Sequence, residues 1–133
     1  MGFAYAGVGD YQNARTEFEA AAVTPGAPLK SKALWLHNLG ETYLELGNND
    51  KACETWQQAS QLPHVSKTFR TQWGLALCAY AKGDLETARQ DYHQAAKLGA
   101  EQKVDLRKIS TFQRWNAGPK ELEIAKALVG GSK

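Results

Sequence analysis

The sequence predicts an all-α chain built as a stack of antiparallel helix hairpins, and three observations carry that expectation. A punctuated pattern recurs in register at Gly9-Asp10, Gly47-Asn48 and Gly83-Asp84. In each unit an Ala stands five residues after the Gly, an aromatic four later and a second Ala three later: Ala14, Phe18, Ala21; Ala52, Trp56, Ala59; Ala88, Tyr92, Ala95. The intervals, 38 residues from Gly9 to Gly47 and 36 from Gly47 to Gly83, are the length of two helices and their turns, the mark of a repeat architecture.

Taken in order, the chain opens on Gly2-Phe3-Ala4-Tyr5-Ala6, read as the tail of a first helix whose Gly2 and Tyr5 match Gly40 and Tyr43. So short an opening helix suggests a piece of a longer array, because helix nucleation is costly. At each recurring Gly the left-handed conformation stops one helix, and the Asp or Asn after it caps the next. Spacings of four and three then place Ala14, Phe18 and Ala21 on one face, where small residues admit a neighbouring helix and the ring fills the gap. The preceding helix carries Leu36, Leu39, Gly40 and Tyr43 at helical spacing. Extra length falls in Thr24-Pro25-Gly26-Ala27-Pro28 and around Pro63-His64, where turn residues absorb insertions cheaply.

After Gly99 the pattern weakens. Val104, Leu106, Ile109 and Phe112 give an approximate apolar stripe, with Trp115 near its end. Gly118-Pro119 then breaks the chain, Pro119 suits a first helical position, and Glu121 and Glu123 suit a helix N-terminus. Leu122, Ala125, Leu128 and Val129 supply the last apolar face. Residues 1–129 are therefore read as a single domain of about three repeats, the first truncated. Within it, 101–129 form a degenerate capping hairpin, and 130–133 follow as a tail.

Leu39-Gly40-Glu41-Thr42-Tyr43 followed by Ala52, Trp56 and Ala59 resembles the tetratricopeptide repeat signature of Leu-Gly, Tyr, Ala, an aromatic and Ala. The resemblance covers residues 2–98. Trp35 lies one place off the family's Trp, and Ala76 stands where the third repeat should have Gly. The family implies a right-handed superhelical α-solenoid whose first helices line a concave surface, and a protein or peptide partner held there. On that basis the groove is expected to present Leu34, His37, Asn38, Glu41, Leu44 and Glu45 from the second hairpin. The third hairpin is expected to add Arg70, Trp73, Leu77 and Tyr80. Trp73, Leu77 and Tyr80 share one stripe, read either as core or as an aromatic anchor for a peptide. His37 is expected at the surface. Chaperone-binding relatives grip a carboxylate with Lys, Asn and Arg; here only Asn38 falls at such a place, and Gly74 stands where Arg is needed.

Composition narrows the function classes. Hydrophobic residues at 43% and charged ones at 23% are those of an ordinary globular chain. The net charge of +2 is too small to imply nucleic acid, which needs a concentrated basic face. Lys103, Arg107, Lys108 and Arg114 read as a solvated helix face. No stretch reaches the ~20 apolar residues that span a bilayer, so no membrane partner is expected. Cys53 and Cys78 are read as buried, reduced thiols, giving a cytoplasmic default. No phosphate loop, metal-binding pair or nucleophile elbow is present, and His37, His64 and His93 lie on separate segments. Neither a metal, a cofactor nor catalysis is expected. The chain is expected to be a scaffold or adaptor, with self-association through its ends as an additional mode. The alternative is a regulatory or oligomerisation segment of a longer enzyme or transcriptional regulator, its groove packed against another part of the same chain.

Overall fold

The computed structural model describes residues 10–62, 68–115 and 117–131. These form α1 (Tyr11–Ala22), α2 (Leu29–Glu45), α3 (Asn49–Ser60), α4 (Phe69–Ala81), α5 (Leu85–Glu101), α6 (Ile109–Arg114) and α7 (Pro119–Gly131), with no strand among the described residues. The expected helix tail at 2–6, the Gly9 turn and the turn at Pro63-His64 lie outside them. Helix α7 starts at Pro119 as expected and runs to Gly131, into the stretch read as a tail.

The punctuation works as its chemistry requires. Asp10, Asn48 and Asp84 accept hydrogen bonds from the amides of Asn13, Lys51 and Thr87, each capping the helix that follows. Gly47 and Gly83 hold φ of 85° and 84°, a region costly for residues with a Cβ. The turns they make fold α3 against α2 and α5 against α4, and α3 also packs on α4 to join one hairpin to the next.

The repeated residues build the core. Ala14, Ala52 and Ala88 have no exposed surface, and Phe18, Trp56 and Tyr92 are buried beside them. Trp56 sits between hairpins. A Cβ built on Gly40 of α2 or on Gly74 of α4 would lie 2.6 Å from Trp56 Cδ1 in either case. Its indole nitrogen donates to the His37 carbonyl at 3.1 Å. Gly74 thus provides room that the repeat register assigned to the place of Ala76, which is itself fully buried.

The cysteines correct the expectation of separate thiols. Cys53 on α3 and Cys78 on α4 form a disulfide with Cα atoms 5.0 Å apart. Spacing along the chain hid this, because the contact arises from hairpin stacking rather than from local sequence.

An aromatic cluster ties the last hairpin to the third. Trp73 packs on Phe112 at 4.8 Å and on the edge of Tyr92 at 6.2 Å, while Phe69 stacks on Trp115 at 5.7 Å. The Tyr92 hydroxyl donates to the Leu106 carbonyl at 2.9 Å. Helix α7 then turns back to touch α2, α4 and α5.

Candidate functional site

Helices α2 and α4 are the first helices of successive hairpins, and α7 lies against both. Its buried face is Glu121, Ile124, Ala125 and Leu128, at spacings of three, one and three. That face is rotated from the expected one: Leu122 and Val129 are only partly buried, and an acid takes the leading position.

Around Glu121 the structure gathers groups far apart in sequence. Helix α2 sends His37, Glu41 and Glu45, each four residues on and so on one stripe. The Glu45 carboxylate accepts from the backbone amide of Lys120 at 3.0 Å and of Glu121 at 2.9 Å. First-turn amides have no partner within their own helix, so Glu45 caps α7 from another element. A Cβ on Gly118 would lie 2.6 Å from Glu45 Cγ, so the residue before α7 must be glycine for that carboxylate to come in. From α4, Trp73 donates its indole N–H to Glu121 Oε2 at 2.8 Å. Glu121 is 1% exposed.

Two carboxyl groups so close cannot both ionise freely. Burial and the neighbouring Glu121 carboxylate, to which Glu41 is hydrogen-bonded, hold Glu41 well above the usual carboxylate range. Burial also raises Glu45, against the lowering effect of the two amides it accepts. His37 is 3% exposed, and desolvation, helped by the Arg70 charge, pushes it down to about 3. With the imidazole uncharged at neutral pH, its contact with Glu41 at 3.5 Å is not an ion pair.

The expected groove residues divide accordingly. Glu41, Glu45 and Trp73 meet α7 directly, and His37 reaches it through Glu41. Leu44, Trp73 and Leu77 are core, at most 2% exposed, and Trp73 packs against Phe112 and hydrogen-bonds Glu121 of the C-terminal hairpin. Tyr80 is half-buried at the edge of that packing. Asn38 is buried, with its amide nitrogen unpartnered. His37, expected at the surface, is buried: its ring lies 6.5 Å from that of Trp56 on α3, and it borders the hollow it shares with Phe69 and Arg70 of α4. Leu34 and Arg70 line a separate hollow of about 240 Å³ together with Lys30, His37 and Phe69. The Arg70 guanidinium lies 5.0 Å from the centre of the Trp115 ring. His93 is exposed, and no group of three metal-binding side chains occurs among the described residues.

Glu121 escaped the sequence reading. An acid in a first turn suggests a helix dipole partner, yet Glu121, Ile124, Ala125 and Leu128 follow an i, i+3, i+4, i+7 pattern. That spacing was the available signal that the acid lies on the packed face.

The family profile described as Tetratricopeptide repeat matches residues 37–102, the span from α2 through the end of α5. The chain carries tetratricopeptide repeats. Tetratricopeptide repeats generally mediate protein–protein interaction. No curated protein matches the sequence. Among the described residues no helix is long and apolar enough to cross a membrane.

Proposed function

We propose that this tetratricopeptide repeat chain is an adaptor that binds a protein partner through the side of the stack formed by α2 and α4. The observation that carries the reading is α7 itself. A helical segment lies against the first helices of two hairpins, fixed by side-chain hydrogen bonds from both. A surface that seats one helix through polar contacts and a short apolar face has the chemistry to seat another. The hollow beside it, lined by Leu34, His37 and Arg70, gives a partner an edge to reach first.

The same observation favours a second reading. A groove filled by its own chain is what a regulatory or oligomerisation segment of a longer protein would show, with α7 as the internal partner. Site-specific photo-crosslinking separates the two. A crosslinker at Leu34 should label a defined partner protein in the native cell, and one at exposed Gln57 on α3 should not. Equal labelling from both sites, or labelling confined to the chain itself, would sink the adaptor reading.

A further inference from the structure

We infer that the groove between α2 and α4 is a receptor for the N-terminal half of an α-helix, and that α7 is a resident copy of its ligand. The fitting partner is a helix with a carboxyl side chain in its first turn and small or branched apolar residues three, four and seven places later. It enters by exchange with α7. This deepens the adaptor reading and rests on it.

Each part of the description comes from a contact. Glu45 accepts two first-turn amides, which any helix start presents whatever its side chains. That contact selects a helix end over an extended strand, whose amides do not converge on one carboxylate. Specificity comes from the next layer. The Trp73 indole N–H points at Glu121 Oε2, and Glu41 hydrogen-bonds to the same carboxyl group. A buried indole N–H aimed at one side-chain oxygen favours an acid there and leaves an apolar side chain mismatched. Beyond it, Ile124, Ala125 and Leu128 enter the core, so the matching positions of a partner must be apolar, with a small residue at the middle one. The glycine before the helix is set by the Glu45 carboxylate, which occupies the space a Cβ at Gly118 would need.

Exchange follows from the balance of these contacts. Helix α7 brings one short apolar face and a carboxyl group to a place already holding Glu41 and Glu45, so its seat combines apolar packing with a crowding of carboxyl groups that burial makes costly to ionise. Tyr11, Arg70 and Lys120 border the cluster, and none is hydrogen-bonded to Glu121 through its side chain in the way Trp73 is.

The test uses the full chain and a synthetic peptide of residues 117–131, fluorescently labelled at its C-terminus. Ala125→Arg in the chain unseats α7, since Ala125 has no exposed surface, while α2 and α4 keep their own residues. Circular dichroism then checks that the stack persists. The peptide should bind this variant at least about tenfold tighter than the wild-type chain, whose groove is occupied. Glu121→Ala in the peptide, or Glu45→Ala added to the chain, should each weaken binding about tenfold. Equal binding to wild type and variant, or indifference to both substitutions, overturns the inference. Where Ala125→Arg disturbs the stack, the isotope-labelled wild-type chain decides. Saturating unlabelled peptide should move the amide resonances of 119–129, and unmoved resonances refute exchange. The two readings fail apart: a groove for extended segments still crosslinks a partner from Leu34 yet ignores the peptide. A groove serving α7 alone takes the peptide but crosslinks no partner.

Discussion

Gly40→Ala tests the inter-hairpin packing at its tightest point. The added methyl carbon would stand 2.6 Å from Trp56 Cδ1, about 1 Å inside ordinary carbon–carbon contact. The ring has nowhere to retreat: it is 1% exposed, and Gly74 closes in on the same Cδ1 from the next hairpin. Overpacking of this kind costs about 1–3 kcal/mol. Displacing the ring also breaks its bond to the His37 carbonyl, leaving a buried donor unpaired at about 1–3 kcal/mol. Replacing glycine in a helix interior offsets roughly 1 kcal/mol. The sum is a destabilisation of about 3 kcal/mol, or roughly 10 °C in midpoint for a chain of this size. Guanidinium denaturation followed by circular dichroism measures it, with Gly83→Ala as control. Gly83 has open space around it but φ of 84°, so its cost is backbone strain alone, about 1–2 kcal/mol. Trp56→Phe in the Gly40→Ala background should recover part of the loss, because the smaller ring makes room. A Gly40→Ala variant no less stable than Gly83→Ala would refute the clamp.

Two further outcomes concern protons and sulfur. Glu41 is raised by burial and by Glu121, so its contribution is fully present below the unfolded carboxyl value and is lost as pH rises through the folded value. His37, lowered from 6.5 to about 3 by desolvation and Arg70, acts oppositely: stability falls as pH drops across that window. Denaturation midpoints across a pH series should show Glu41→Gln removing the loss at higher pH and His37→Gln flattening the acid side. Profiles parallel to wild type would contradict these assignments. Reducing the disulfide, whose cysteines are 25 residues apart, should lower stability by about 3 kcal/mol on loop entropy. Urea titrations with and without reductant check it, and coincident curves would show that the bond constrains nothing.

The fold was legible because its determinants are local and periodic. Gly83-Asp84 announces a turn and a cap within two residues, and Ala88, Tyr92 and Ala95 announce a packed face within two helical turns. Neither depends on which neighbour is met. The role of Gly74 was not legible, since it answers to Trp56 on another hairpin. The disulfide was hidden for the same reason. His37 looked like a surface residue because nothing on its own helix reveals that α3 and α4 bring Trp56, Phe69 and Arg70 beside it.

The site was hidden by something more specific. Its acids come from two segments separated by more than half the chain, and like charges are the last groups a sequence reading would pair. They meet because a helix start carries unpaired amides, and Glu45 accepts two of them. Once α7 is so placed, Glu121 must enter the cluster, and the Trp73 indole N–H answers its carboxyl oxygen. The hairpin seams close on alanine, glycine and buried rings, whereas the α7 seat depends on a crowded set of carboxyl groups and a borrowed cap. That contrast is why the proposed partner is expected to compete at the seat of α7 and not at the hairpin seams.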